Sequence, residues 1–299
     1  MNSSLIKSNL ICVLSIFFFA VSFPAAEILL FNWGFVALVT IRSCLALFLI
    51  ILLWVLLEGF DQLLSPNWIT GCWIGFFGFG IGSVLLLSTQ YFTSPVIAAI
   101  AATLMPIAGV TLEILFDKRR LIGWFSIGLA LVLSGGIIAI GSDIVKVGFG
   151  FGILTGILAV AFFAWGSRAT VKRLPKLSAL GQTAVTSFGM WVFCSLIFLF
   201  CSFFEATLTE IPTINMKSIV LLLIYSWLGM GISQLLWIKG VNRLGIGIAS
   251  FHLNATPLYV MSVLFLLGEK WNWIQAIGSL IVIVGILLSQ KKHPSLVQR

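Results

Sequence analysis

Apolar residues run along this chain in unbroken blocks rather than alternating or recurring every three or four positions, and short polar connections punctuate them. A membrane-spanning helix needs about 20 apolar residues. On that ruler the chain divides into ten spans, approximately residues 10–26, 34–57, 67–88, 94–116, 121–142, 148–167, 180–204, 217–238, 244–267 and 272–290. No Ser/Pro-rich linker, charge block or low-complexity segment between them is long enough to form a soluble domain. Lys7, the apolar run Leu10 to Phe23 and the small residues Pro24, Ala25 and Ala26 imitate a cleavable secretory signal. An uncleaved first helix is expected instead, because the repeat described below needs it.

Composition agrees with the pattern. With 60% hydrophobic and 9% charged residues, 299 residues cannot be arranged as one apolar core under a polar shell, so the bilayer is the expected solvent. Charge then sets orientation. With the N-terminus in the cytoplasm, that side holds Lys7; Lys118, Arg119 and Arg120; Arg168, Lys172, Arg173 and Lys176; Lys239 and Arg243; and Lys291, Lys292 and Arg299. The other side holds Lys146, Lys217 and Lys270, and Arg42 alone falls within a span. Thirteen against three predicts a multi-pass protein with both termini cytoplasmic. The net charge of +8 is therefore a topology signal, and no basic solvated domain exists for a nucleic acid to bind. The five cysteines, Cys12, Cys44, Cys72, Cys194 and Cys201, all fall within spans without a CxxC or metal-ligand spacing, so neither a disulfide framework nor a zinc site is expected.

Two stretches spend glycine where a helix should be: GFGIGSVLL at Gly78 to Leu86 and GMGISQLLW at Gly229 to Trp237. Gly78, Gly80, Ile81 and Leu85 recur as Gly229, Gly231, Ile232 and Leu236, each displaced by 151. Ala98 answers to Ala249 and Pro106 to Pro257 at the same offset, and Gly128 and Gly135 answer to Gly278 and Gly285 at 150. A nearly constant displacement over three helices predicts two copies of a five-helix unit, residues 1–147 and 148–299. Five is odd, so the second copy enters the membrane from the opposite side, and an inverted repeat builds its substrate site near the midplane. Gly78, Gly80, Pro106, Gly229, Gly231 and Pro257 all fall about halfway along their spans. Each glycine alone reads as close helix packing, whereas the symmetry-related set reads as hinges of gate helices around a cavity.

Four segments stand out: FAVSFPAAEIL at Phe19 to Leu29, TIRSCLALFLI at Thr40 to Ile50, LMPIAGVTLEILF at Leu104 to Phe116, and TPLYVMSVLFLLGEKWNWIQAIGSLIVIVGILL at Thr256 to Leu288. Together they resemble the drug/metabolite transporter superfamily, in particular its ten-helix EamA-type members, with Arg42 at the family's second-helix arginine. The first copy departs where Gly-Glu is expected after the fourth helix: FDKRR offers Asp117 one residue out of step, so no role passes to it from Glu269. The resemblance implies an inner-membrane secondary carrier, often an exporter of amino acids or related metabolites, with a cavity framed by the first, third, fourth, sixth, eighth and ninth spans.

Ionisable and polar groups inside spans are the candidates for chemistry, since each costs about 2.5–3.5 kcal/mol or more unless paired or wetted. Arg42 lies about nine residues, ~12 Å, below the outer end of its span. Either it snorkels outward or it turns in to brace the outer gate against Glu27 or a helix-end carbonyl, a role preferred to direct substrate contact. His252 reads either as a neutral interhelical partner or as a proton-linked group. Gln234 and Asn254 are interhelical hydrogen-bonders or cavity ligands, and Trp227, deep in the eighth span, either packs or stacks on substrate. Glu113 reads as an interfacial partner of Lys118 or Arg119, and Glu269 beside Lys270 as an outer-interface cap or ion pair. Trp33, Trp68, Trp124, Trp271 and Trp273, at span ends, read as the aromatic belt.

An embedded enzyme needs a clustered catalytic constellation, a channel a selectivity ring, and a primary pump a Walker motif; the sequence supplies none of these. What remains is a secondary transporter for a small molecule, without cofactor or metal, with protons as a candidate coupling ion and its oligomeric state open. Export of amino acids or related metabolites by alternating access is the first expectation. Uptake of a nucleotide-like or cationic metabolite is the second, and a channel the third.

Overall fold

The computed structural model describes residues 3–64, 67–93, 95–118, 123–140, 151–268, 270–271 and 273–289, and among these there are helices and no strand. The proposed boundary at 147/148 lies outside the described residues, as do Glu269, Arg119, Arg120, Lys146, Lys291, Lys292 and Arg299. Helix is what the composition dictates, because hydrocarbon offers no partner to a backbone N–H or C=O and a helix satisfies both within one segment.

In chain order the helices are α1 Ser3–Leu30, α2 Phe35–Glu58, α3 Trp68–Phe92, α4 Pro95–Ala102, α5 Met105–Asp117, α6 Trp124–Ile140, α7 Phe151–Arg173, α8 Ala179–Phe204, α9 Met216–Leu244, α10 Ile246–Leu266 and α11 Trp273–Ser289. Seven helices among the described residues are long and apolar enough to cross a membrane: α1, α2, α3, α7 from Leu154 onward, α8, α9 and α10. The chain is an α-helical membrane protein. The remaining three expected spans are shorter. One is divided between α4 and α5, and α6 and α11 have 17 residues each, about 25 Å at 1.5 Å per residue against a hydrocarbon core of ~30 Å.

Local chemistry marks the ends. Ser178 caps α8 by accepting from the Gly181 N–H, and Asn215 caps α9 by accepting from that of Ser218. Gly245, at a φ of +78°, makes the sharp turn from α9 into α10, a conformation that side chains rarely adopt.

Both glycine patterns coincide with a change of helical winding. Residues Gly75–Gly80 of α3 and Ile224–Ile232 of α9 are π-helical. The proline pair behaves alike too. The backbone turns at Thr103 and Leu104 just ahead of Pro106, and α10 tightens into a 3₁₀ turn, His252–Ala255, just ahead of Pro257. Pro257 cannot donate to the Leu253 carbonyl four residues back, and the Thr256 hydroxyl takes that acceptor.

In the bundle, α1 packs on α9, α3 on α7, α2 on α8, and α6 on α11. Glycine permits the closest of these approaches. A Cβ on Gly78 would stand 2.5 Å from the Gly166 Cα of α7, and one on Gly229 would stand 2.2 Å from the Ser22 Cβ of α1. Trp33 is a correction: expected in the aromatic belt, it is buried in the main core, whereas Trp124 and Trp273 are exposed as the belt reading requires.

Candidate functional site

A cavity of about 100 Å³ lies at the level of the two π-helical segments, with room for several water molecules. Its walls are mostly apolar, among them Ile16 and Phe19 of α1, Phe79 and Leu86 of α3, Met105 of α5, Phe163 of α7, and Met230 and Trp237 of α9. Polar groups enter at few points: Ser15, Arg42, Ser83, Ser167, Ser233 and Gln234. The α9 contributors, Gly229, Met230, Ser233, Gln234 and Trp237, recur at intervals of about four and form one helical stripe.

Arg42 is buried and turned inward rather than snorkelling. Its Nη1 donates to the Tyr225 hydroxyl at 3.2 Å and its Nη2 to the Gly229 carbonyl at 3.3 Å, while Cζ sits 4.2 Å from the centre of the Tyr225 ring. The π winding explains why a mid-helix carbonyl is on offer. The Ser233 N–H reaches back five residues to the Leu228 carbonyl, passing over Gly229, its acceptor in an α-helix. The bracing partner expected at Glu27 or a helix end is thus a released carbonyl and a tyrosine, both on α9. Arg42, with Phe19 and Leu86, also borders a second, smaller cavity lined by Phe23, Leu87, Gln90 and Tyr225.

Buried donors in the central cavity are incompletely used. Arg42 Nε and Gln234 Nε2 have no hydrogen-bond partner among the described residues. An unsatisfied buried donor costs roughly 1–3 kcal/mol, more when charged, so each is a point at which water or a ligand acceptor is favoured. Below the Arg42 level, Ser15 Oγ donates to the Ser233 carbonyl at 2.8 Å and Ser233 Oγ to that of Ser15 at 3.0 Å. This reciprocal pair fastens α1 to α9. On the side away from Arg42, the Trp237 indole donates to Ser167 Oγ at 2.8 Å.

Other sequence candidates lie elsewhere. His252 is buried but does not line the cavity: Nε2 is 3.0 Å from Asn9 Oδ1 on α1, and Nδ1 is 3.2 Å from the Ala249 carbonyl. Asn254 is fully buried beside the cavity-lining Leu253, with both amide atoms unpartnered among the described residues. Trp227 falls off the α9 stripe, and its buried Nε1 likewise has no partner among them. Glu113 shares a wall with Asp117, Arg168 and Lys172 at the end of α5. It is buried, and Oε1 accepts from the Gly247 N–H at 2.9 Å, fixing the start of α10. Asp117 meets the Arg168 guanidinium with two contacts, 2.8 and 3.0 Å, and Lys172 at 3.1 Å. That guanidinium, and secondarily the ammonium, holds the Asp117 carboxyl below its ordinary value.

Tyr225, Ser15, Ser167 and Trp237 escaped the sequence reading. A signal for Trp237 and Ser233 was present, since Gly229, Ser233 and Trp237 are spaced by four. None existed for Tyr225, whose partnership depends on the π register.

The sequence profile of the EamA-like transporter family matches residues 6–141 and again 150–290, nearly the whole chain. The chain belongs to the EamA-like transporter family. No functionally curated protein matches it. A crystal structure described only as that of a protein superposes with a TM-score of 0.78 at 16% identity, over 95% of this chain and 96% of the other. That likeness establishes a shared fold. As an EamA-like protein the chain is a membrane transporter, and the cavity beside Arg42 is its candidate substrate site.

Proposed function

We propose that this transporter is a secondary carrier that exports amino acids or related small metabolites across the inner membrane by alternating access. The observation that carries the reading is the cavity itself, walled by α1, α3, α4, α5, α7, α9 and α10 around an inward-turned arginine with an unused donor. A permanent cation in a chamber with mostly apolar walls suits a ligand with a carboxylate and an apolar body. At about 100 Å³ the chamber is smaller than the ~300–1,000 Å³ of ordinary ligand sites, so admitting substrate requires the helices to part.

Ten spans in two inverted five-helix copies, with both termini cytoplasmic, are part of the same proposal. The paired π-helical segments, the paired breaks before Pro106 and Pro257, and the two family matches support it. Gly80 and Gly231 then act with the prolines as the places where the gate helices bend, while Gly78 and Gly229 allow close contact. Substrate counterflow in proteoliposomes loaded with a panel of amino acids, nucleobases and quaternary ammonium compounds tests the reading. Amino-acid exchange is the expected result; exchange confined to nucleobases or quaternary ammonium compounds would replace the substrate class, and conductance without exchange would replace carrier by channel.

A further inference from the structure

Beyond the central cavity, on the face that carries Asp117, the protein holds a second space of about 340 Å³ lined by Glu113, Asp117, Arg168, Val171, Lys172 and Val241, among others. The two spaces share walls. On α7, Val160, Phe163 and Ser167 face the central cavity and Arg168, Val171 and Lys172 face the second space. On α9, Ser233 and Trp237 face the first and Val241 the second. Ser167 to Val171, and Trp237 to Val241, is one helical turn in each case, about 6 Å. On these two helices the linings are about one turn apart, whereas from Met105 to Glu113 on α5 and from Leu253 back to Ile246 on α10 they are about two turns apart. On the thin side the Trp237 indole donates its 2.8 Å bond to Ser167. Ser167 is fully buried and Trp237 almost so.

We propose that Trp237 and Ser167 form the inner gate of the central cavity, and that the space beside Asp117 and Arg168 is the vestibule it opens into. The inference rests on the carrier reading and adds the residues of one gate. Two neutral side chains close this end, whereas a guanidinium set on a tyrosine ring and a released carbonyl closes the other. One neutral hydrogen bond, worth on the order of 1 kcal/mol net, and an indole that swings from one apolar wall to another make a closure that thermal motion opens. The Asp117 ion pairs, from α5 to α7, lie on the vestibule wall and do not involve the indole.

The gate can be tested without knowing the substrate. In a variant with the five native cysteines replaced, Ser83→Cys places a thiol on the central cavity wall. A charged, membrane-impermeant methanethiosulfonate is then applied to one face at a time in oriented vesicles. Trp237→Ala is expected to speed modification from the Asp117 face at least about tenfold, through loss of both the bond and the packed ring, and to leave the opposite face unchanged. Ser167→Ala, which removes the bond and leaves the indole, is expected to give roughly fivefold on the same face, and Trp237→Phe, which removes the bond and part of the ring, between about five- and tenfold; these two decide the matter if Trp237→Ala does not fold. Unchanged rates, or equal rises from both faces, would overturn the gate. Because labelling needs no transport, one-sided opening in a protein without counterflow would sink the carrier reading and leave the gate, and normal counterflow without one-sided opening would do the reverse.

Discussion

Replacing Arg42 by alanine removes its bonds to the Tyr225 hydroxyl and the Gly229 carbonyl, which in the proposed carrier brace the outer closure. Two hydrogen bonds from a charged donor, at 3.2 and 3.3 Å, fall toward the weak end of the ~1.5–3 kcal/mol range for such bonds. The guanidinium over the Tyr225 ring adds ~1–2 kcal/mol in a desolvated setting. Against a gross sum of about 5 kcal/mol stands the desolvation of the buried cation, several kcal/mol in its own right. A net bias of about 2–3 kcal/mol on the closed arrangement is left, a factor of roughly 30–150 at 1.4 kcal/mol per tenfold. Arg42→Ala is therefore expected to insert normally and to lose about two orders of magnitude in proteoliposome counterflow, its gate no longer alternating. Arg42→Lys keeps the charge over the ring without the planar fork, and is expected to recover about half of that loss on a logarithmic scale. Tyr225→Phe keeps the ring and the Gly229 carbonyl, so it is expected to cost about tenfold, one bond from the charged donor at the weak end of its range, while Tyr225→Ala approaches Arg42→Ala. Flux within twofold of the parent in well-expressed Arg42→Ala, or equal losses in Tyr225→Phe and Tyr225→Ala, would refute the cradle as the source of the bias.

Gly78→Ala drives a Cβ to 2.5 Å from backbone on α7 and is expected to lower stability by about 1–3 kcal/mol, read as thermal loss of the monodisperse peak in detergent. Gly231→Ala meets only the tip of Leu49 at 3.3 Å and is expected to keep its stability within about 1 kcal/mol; a selective loss of flux there marks a hinge. The depressed Asp117 carboxylate contributes stability that is present above its unfolded value near 3.8 and is lost only as pH falls through its lower folded value. Asp117→Asn is thus expected to shift melting by an amount that stays constant between pH 5 and 8 and corresponds to under about 1 kcal/mol. With His252 set against Asn9 away from the cavity, His252→Gln is expected to leave the pH profile of flux unchanged; a displaced profile would restore proton coupling through this residue. Thiol labelling of Lys217→Cys and Lys172→Cys is expected from opposite faces, and labelling from the same face would end the ten-span topology.

What the sequence determined by itself was set by solvent and period. Twenty-residue apolar blocks and the scarcity of charge allow only membrane helices, since hydrocarbon satisfies no backbone group, and glycine and proline at a fixed displacement reveal internal repetition. Arg42 stood out for the same reason: a charge at that depth is costly enough to be legible alone. Its direction was not legible. Whether a guanidinium snorkels or turns inward depends on what faces it, and the acceptor it found exists because α9 skips a hydrogen bond at Gly229, a register change the residue letters do not record. Trp227 and His252 were reasonable by depth, yet a helix turns about 100° per residue and neighbouring helices choose which side is cavity; that choice put Trp237 on the wall and His252 against α1. Glu113 was legible as lying near the end of its helix, but that the turn at Gly245 brings the α10 backbone over it was not. Depth in the membrane is a property of one segment and can be counted along the chain. Azimuth, helical register and the partner across the gap belong to pairs of helices, and the fold alone decides them.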